Sequence, residues 1–270
     1  MQKNKYEKLH RKSMPLSVIP LKAKRQNGYF ILFDEITKIL SENKISLKNG
    51  DILVISSKYI SNSQGRILDT DNISTSKQSI SMSKKFKIKP KIAEVVLRES
   101  DKIFGGVSGF VITSSDSIMA PNAGIDKSNS EGTKLILYPE NPYQISENLK
   151  RKIFLDYNVH VGIIIVDSRL MPARVGTVGI AIACTGFEPV KDLRGEKDLD
   201  GNPLKVTFQA TADNLASIAN HKMGEGSESQ PIAIIRDSEC QLTGRKISHH
   251  EMTISDEQCL YVRGFSAHLN

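Results

Sequence analysis

A chain of 270 residues with 39% hydrophobic and 25% charged residues has the composition of a globular protein that can bury a sizeable core. Its three cysteines, Cys184, Cys240 and Cys259, are far apart and form no CxxC pair, which argues against a disulfide framework or a structural zinc site and favours a reducing cytoplasm. The basic N-terminal sequence lacks the apolar stretch of a signal peptide, and the longest clean apolar run, residues 162–166, is too short to span a bilayer. We therefore expect a cytoplasmic protein that does not engage a membrane.

The net charge of +7 is unevenly distributed along the chain. Residues 1–91 contain 19 Lys and Arg against 7 Asp and Glu, whereas the remaining residues contain 18 against 23. A basic half attracts polyanions such as nucleic acids or nucleotides, although most such charges are simply solvated. Aromatic residues make up only 6% of the chain and do not cluster, so base stacking on RNA is not favoured and nucleic acid is not an expected partner.

Hydrophobic patterning predicts strands and helices that mingle along the chain. In chain order we expect a strand at 16–20, a helix at 30–43, a buried strand at 51–56 that runs into a polar loop, a helix at 90–100, strands at 109–113 and 135–137, a helix at 142–157, strands at 161–166 and 177–184, a helix at 210–223, and a strand at 231–235. The predicted fold class is therefore α/β or α+β, a mixed sheet with packed helices.

The expected domain covers residues 14–240, with room for a small subdomain. A basic tail precedes it at 1–13, and a C-terminal extension follows at 241–270. Residues 69–89 are rich in Ser and Lys with little periodicity, so they are expected to form a flexible surface segment. The P-loop, the Rossmann fingerprint, HExxH and GxSxG are all absent, and the six histidines show no metal-ligand spacing.

Two short clusters of polar residues include an aspartate, one after a predicted turn and one at the end of a predicted strand. Pro121 and Gly124 favour a turn that holds Asp126 and Asn129, although on spacing alone a plain turn with capping side chains is the favoured interpretation. Asp167 and Ser168 end the apolar run VGIIIV. Ligands gather at the carboxyl ends of strands in α/β sheets, and this pair suits a hard cation, while a cap after the strand is the competing interpretation.

Two glycine-rich clusters come later in the chain. The segment from Arg174 to Gly179 and the downstream KDLRG motif at 191–195 place basic side chains beside glycines. This arrangement suits phosphate or carboxylate recognition, but glycine-rich bends are common and the signal is weak alone. The MGEG motif at 223–226 places a carboxylate on backbone that can approach a ligand closely, although by itself it reads most simply as a helix cap.

In this order, NAGIDxSN, an apolar strand ending in Asp-Ser, RxG…VG, DLRGxxDLxG, ADxLAxxAxxxMGEG and a P-x-A-x-x-R strand resemble the coenzyme F420-0:L-glutamate ligase family. The relatives of that family include γ-glutamyl ligases proposed to act on folates. The resemblance extends from about residue 16 to residue 236. It implies a GTP-dependent amide ligase that uses two Mg²⁺ or Mn²⁺ ions, with K⁺ as a further candidate, and that works through an acyl phosphate attacked by L-glutamate. It also implies a homodimer.

The resemblance carries residue roles onto matching positions. The implied metal ligands are Asp126, Asp167, Ser168 and Glu225. The implied catalytic residues are Asp126, Asp167 and Arg174. The implied nucleotide-binding residues are Ser57, Lys58, Asn129, Met223, Gly224 and Gly226.

Three positions depart from the family pattern. Asn62 stands where a lysine is usual, Met171 where an arginine is usual, and Asp200 where a tyrosine is usual. Arg169 is a candidate replacement for the lost arginine. These changes favour weak binding of the deazaflavin acceptor, or preference for another acceptor such as a pterin or folate. The alternative from another functional class is a non-catalytic paralogue that binds a nucleotide or RNA.

Overall fold

The computed structural model describes residues 14–26, 28–115, 117–127 and 132–266. Single 3₁₀ turns lie at Thr70–Asn72, Asn122–Gly124 and His249–Glu251. The strands and helices, in chain order, are β1 (Ser17–Leu21), α1 (Leu32–Glu42), β2 (Ile52–Ser56), α2 (Ser57–Ser63), β3 (Ile67–Asp69), α3 (Lys77–Phe86), α4 (Pro90–Glu99), β4 (Lys102–Val107), β5 (Phe110–Ser115), β6 (Ile118–Pro121), β7 (Lys134–Ile136), α5 (Pro142–Tyr157), β8 (Gly162–Leu170), β9 (Thr177–Thr185), β10 (Lys191–Asp192), β11 (Phe208–Gln209), α6 (Thr211–Met223), β12 (Ile232–Arg236) and α7 (Leu260–Ser266).

A five-stranded mixed sheet in the order β1-β12-β2-β8-β9 forms the main layer. Its central strands β12, β2 and β8 are nearly continuous apolar runs because both of their faces are buried. Strands β2 and β8 are parallel, and their pairing ends at Ser56 and Val166, although β8 itself continues to Leu170. The residues that follow this pair, Ser57 and Asp167, therefore lie side by side at one edge of the sheet.

Helices cover both faces of this sheet. Helices α1 and α5 bury Ile39 and Ile153 in a cluster on one face. Helix α6 covers the other face with small side chains, among them Ala216 and Ala219. The contact with β9 is close, because a Cβ added at Gly179 would lie 2.4 Å from the Cβ of Asn220. These elements confirm the predicted mixed sheet with packed helices.

Residues 69–89 do not form the expected flexible segment, and that prediction was wrong. After β3 and a 3₁₀ turn they form α3, whose N-terminus is capped by Ser76. Ile73, Met82 and Phe86 are buried in a third hydrophobic cluster with α4, β5 and β7. The average composition of the segment is polar, but a few apolar side chains at suitable spacing are sufficient to fix it against α4.

Two further segments add to the sequence-based description. The expected polar loop after β2 is the short helix α2, in which Tyr59 and Ile60 are buried. The extension after residue 240 packs on the body, because Ile247 is buried in the α6 cluster and Arg245 forms ion pairs with Glu188 and Glu251. Across the described ranges, no helix combines the length and apolarity needed to cross a membrane. The basic tail at 1–13 lies outside the described residues.

Candidate functional site

A cavity of about 550 Å³ opens where the parallel pairing of β2 and β8 ends. Ser57, the first residue of α2, donates a hydrogen bond of 2.7 Å to Oδ1 of Asp167. The parallel register explains this contact, because it brings the chain after β2 alongside the chain that continues β8. Asp167 is thus oriented from one side before any ligand is considered.

Lys58 and Asp126 face each other across the same cavity. The Nζ of Lys58 lies 2.5 Å from Oδ2 of Asp126. Asp126 is held at this position by two backbone hydrogen bonds of 2.9 Å exchanged with Ile136 at the end of β7. The pair therefore joins the sheet layer, through α2, to the layer that carries β7.

The loop after α6 contributes a third carboxylate. Glu225 Oε1 accepts hydrogen bonds from Ser168 Oγ at 2.5 Å and from Asn220 Nδ2 at 2.7 Å. The loop turns at Gly224, whose φ of 82° and ψ of 167° belong to a region used almost only by glycine. A Cβ at Gly224 would lie 2.4 Å from Cδ of Glu228, whose carboxylate also accepts from the Gly226 N–H at 2.8 Å. The MGEG motif therefore shapes the loop as well as supplying a carboxylate.

Arg169 is a buried cation beside Asp167. Its side chain is only 6% exposed, and its Nη1 forms an ion pair with Oδ2 of Asp167. The guanidinium lies 5.9 Å from the ring centroid of Tyr138, and its Nε and Nη2 have no hydrogen-bond partner among the described residues. Burial lowers the pKa of Arg169. With Ser57 on one oxygen and Arg169 on the other, both oxygens of Asp167 are engaged.

Other polar side chains line the cavity as well. Lys24, Arg25 and Lys134 bring positive charge to its wall. Asn62 also lines it, and its buried Oδ1 has no hydrogen-bond partner within the described ranges. Burial raises the pKa of the neighbouring Tyr59, which keeps its hydroxyl neutral. Such a wall suits ligands that carry several negative charges.

Most of the residues singled out from the sequence lie on this one cavity. They are Ser57, Lys58, Asp126, Asp167, Ser168, Met223, Gly224, Glu225 and Gly226. Arg174 is not among the described residues that line the cavity, because it lies in the exposed turn between β8 and β9. Met171 and Asp200 are exposed and likewise absent from the described lining, whereas Asn129 lies outside the described residues.

Sequence reasoning missed two contributors that the structure adds. Asn220 reaches Glu225 from the last turn of α6, and Glu228 folds back on the glycine loop. In α6, Asn220 lies four residues after Ala216 and therefore on the same face, the one turned toward β9. The helical periodicity of the sequence could have predicted this position. No comparable sequence signal marks Glu228.

The oxygen atoms around this cavity match the chemistry of a hard cation. Within the described ranges, no group of three or more His, Cys, Asp or Glu side chains is gathered at one point. Mg²⁺, however, is usually held by one or two carboxylates together with water and substrate phosphates, so a closed protein cage is not required. A cation that arrives with a phosphate would find oxygen ligands on Asp126, Asp167, Ser168 and Glu225. Two of these carboxylates would then contact the cation together with their present partners, Lys58 at Asp126 and Arg169 at Asp167.

Comparisons with known proteins converge on one family. A family model described as F420-0:Gamma-glutamyl ligase matches residues 30–237, which include Ser57, Asp167 and Glu225. The chain is similar to a coenzyme F420:L-glutamate ligase of Methanocaldococcus jannaschii, with 41% identity over 192 residues that cover 70% of this chain and 76% of the relative. It is also similar to the protein of that description from Methanopyrus kandleri, with 32% identity over 225 residues that cover 83% of this chain and 87% of the relative.

Proposed function

Because this chain belongs to the F420-0:gamma-glutamyl ligase family, we propose that it joins L-glutamate to coenzyme F420-0 or a closely related acceptor. We further propose that GTP drives the reaction and that Mg²⁺ or Mn²⁺ assists it. The observation that carries the proposal is the single cavity in which Asp126, Asp167 and Glu225 lie among Lys58 and other basic side chains. A site of mixed charge suits a reaction between anions that depends on a cation.

The proposed reaction has two steps. A carboxylate oxygen of the acceptor attacks the γ-phosphorus of GTP, the bond to the β-phosphate oxygen breaks, and GDP leaves. The amine of glutamate then attacks the carbonyl carbon of the acyl phosphate, loses a proton, and expels inorganic phosphate. Little covalent chemistry falls to the protein in the phosphoryl transfer, so positioning and charge compensation are its main contributions.

The basic side chains at the cavity wall provide charge compensation in this scheme. A triphosphate, an acceptor carboxylate and glutamate repel one another unless positive charge is placed between them. Lys58 extends from α2 toward Asp126, and Lys24, Arg25 and Lys134 line the same space. We propose that these side chains bind phosphate oxygens and that Lys58 exchanges part of its contact with Asp126 for a phosphate.

The carboxylates have a separate role in this proposal. Asp126, Asp167, Ser168 and Glu225 would hold the divalent cation, which supplies Lewis-acid stabilisation of charge on the phosphates. Ser57 and Asn220 orient these groups through the hydrogen bonds to Asp167 and Glu225. Groups fixed in this way by neighbours need little rearrangement when the ligands bind.

We also propose that the protein works as a homodimer. The turn between β8 and β9 and the segment between β10 and β11 carry highly exposed apolar residues, among them Val175, Leu199 and Val206. Exposed apolar surface of this kind favours contact with another protein surface. In such a dimer the outward-facing Arg174 is available to a site formed with the second subunit.

The test is mass spectrometry of the products after incubation with L-glutamate, Mn²⁺ and either GTP or ATP. Three acceptors are compared: F420-0, a folate and a pterin with a free carboxylate. The expected result is F420-0 extended by one or more glutamyl residues with GTP only. Extension of the folate or pterin alone would instead support the changed acceptor suggested by Asn62, Met171 and Asp200. GTP binding without any extended product would support a non-catalytic paralogue, and RNA binding with a steep dependence on salt would support the nucleic-acid alternative.

A further inference from the structure

The carboxylate of Asp167 has two competing partners, the guanidinium of Arg169 and the proposed divalent cation. Asp167 is one of the residues proposed to hold a divalent cation, yet its Oδ2 is already bound to the Nη1 of Arg169. Both side chains lie on β8, two residues apart, so they point to the same face of the strand. Arg169 therefore occupies part of the space around Asp167 that a cation would use.

The ion pair with Asp167 is the main polar contact that compensates the buried charge of Arg169. The side chain is 6% exposed, and among the described residues its Nε and Nη2 lack partners. Tyr138 covers the guanidinium from one side, and Gly124 packs against both side chains, since a Cβ there would lie 3.0 Å from Cδ2 of Tyr138 and 3.4 Å from Nη2 of Arg169. A buried guanidinium with unsatisfied donors is costly, so the contact with Asp167 is what holds the charge in place.

We propose that Arg169 is a positioning residue that acts as the internal counter-ion of Asp167. It orients this carboxylate before ligands arrive, and it weakens the binding of a free divalent cation at that position. A cation carried by the nucleotide overcomes this competition, because the phosphates supply further ligands and negative charge. The inference rests on the proposed function for the identity of the cation, but it concerns cation binding and not turnover.

The consequence is that the divalent cation binds at Asp167 more readily together with the nucleotide than alone. Without the nucleotide, the positive charge of Arg169 repels a divalent cation that approaches Asp167, because like charges close together disfavour one another. With the nucleotide, the negative charge of the phosphates offsets part of that repulsion. Arg169 therefore increases the difference between the affinity for free cation and the affinity for cation with nucleotide.

The experiment measures Mn²⁺ binding to the purified protein by electron paramagnetic resonance, with and without a non-hydrolysable GTP analogue. The variants are Arg169→Met, Arg169→Gln and the charge-conserving Arg169→Lys, and thermal unfolding establishes that each is folded. The matched control is Arg98→Met, which removes a guanidinium paired with Glu94 on α4. Wild type and Asp167→Asn complete the series.

We expect Arg169→Met and Arg169→Gln to bind Mn²⁺ about tenfold more tightly than wild type without the analogue, and the gain to shrink when the analogue is present. Arg169→Lys and Arg98→Met should resemble wild type. Unchanged or weaker binding by both neutral variants would overturn the inference, as would the same gain in Arg98→Met. Absence of Mn²⁺ binding by every protein in both conditions would overturn it too. If the Mn²⁺ affinities follow the expected ranking but the protein shows no ligase activity, the result would count against the proposed function alone.

Discussion

Ser168 donates a hydrogen bond of 2.5 Å to Oε1 of Glu225, which joins β8 to the loop that follows α6. Asn220 binds the same oxygen from the last turn of α6. Glu225 itself is exposed, and Thr177 Oγ1 adds only a longer contact of 3.4 Å to the same oxygen, so the hydrogen bonds from Ser168 and Asn220 restrict its side chain most strongly. The two contacts fix its direction toward the cavity that Asp167 also lines. This relationship makes Glu225 the clearest carboxylate to test for a role with the cation.

Glu225→Gln should weaken the binding of Mn²⁺ with a GTP analogue by about tenfold or more, since it removes a charged oxygen ligand while keeping the shape and an acceptor oxygen. Isothermal titration calorimetry measures the affinity directly. The matched control is Glu228→Gln, which changes another carboxylate on the same loop and the same cavity. Equal affinities for wild type and Glu225→Gln would remove Glu225 from the proposed cation site.

Gly224→Ala should disturb the loop, because the backbone conformation at this position strains any residue with a Cβ, at a cost of about 1–3 kcal/mol. The new methyl group would also press against Glu228. We expect a lower melting temperature and weaker nucleotide binding. Gly226→Ala is the matched control two residues away, where a Cβ would meet Glu228 no closer than 3.4 Å. The same loss in both variants would show that the loop tolerates no added volume and would contradict the specific role of the Gly224 conformation.

Asp167→Asn should abolish metal-dependent turnover and also destabilise the protein. The substitution leaves Arg169 buried without its counter-ion, and breaking such a pair costs roughly 3–5 kcal/mol. The double variant Asp167→Asn with Arg169→Met should recover part of the lost stability but none of the activity. Urea unfolding gives the stabilities, and phosphate release gives the turnover. Activity near the wild-type rate in Asp167→Asn would contradict the proposed role of this carboxylate.

Asp213 offers a test of pH dependence away from the site. Burial raises the pKa of this carboxyl, and the Ala181 N–H partly offsets the effect by donating a hydrogen bond of 2.9 Å. Since the folded pKa lies above the unfolded one, the folded chain holds the proton more tightly, so Asp213 lowers stability at neutral pH and the penalty disappears as the pH falls below the unfolded pKa.

Asp213→Asn should therefore raise the free energy of unfolding at neutral pH, because it removes the buried charge and retains an acceptor for Ala181. The gain should shrink as the pH falls and approach zero at about pH 3, below the unfolded Asp pKa of about 3.9, where the wild-type side chain is largely protonated even when unfolded. Chemical unfolding at several pH values measures this difference. A gain that stays constant over that range would show that the charge of Asp213 is not responsible.

The sequence predicts the main layer well because its strands are continuous apolar runs and its helices carry clear periodicity. It predicts Asp167 at the cavity for the same reason, since a polar residue directly follows such a run. It does not predict the role of Arg169, because β8 continues through Leu170 by pairing with β9, and only that pairing turns Arg169 inward. It also misplaces residues 69–89, because composition does not reveal that Met82 and Phe86 pack against the predicted helix α4.

The contact between Lys58 and Asp126 shows a second limit. The sequence suggests each residue separately, but their distance of 2.5 Å depends on how α2 and β7 come together from different layers. Long-range relationships of this kind follow from tertiary packing and not from local spacing. The resemblance to a family implied separate roles for Lys58 and Asp126, and the structure adds the contact between them.

The most direct test of the proposed ligase chemistry follows an oxygen atom. F420-0 labelled with ¹⁸O in its acceptor carboxylate is incubated with the protein, GTP, Mn²⁺ and L-glutamate, and the released phosphate is analysed by mass spectrometry. An acyl phosphate intermediate requires one labelled oxygen to leave with each phosphate as each amide bond forms. Amide product accompanied by unlabelled phosphate, or GTP hydrolysis with both labelled oxygens retained in the acceptor, would contradict the proposal.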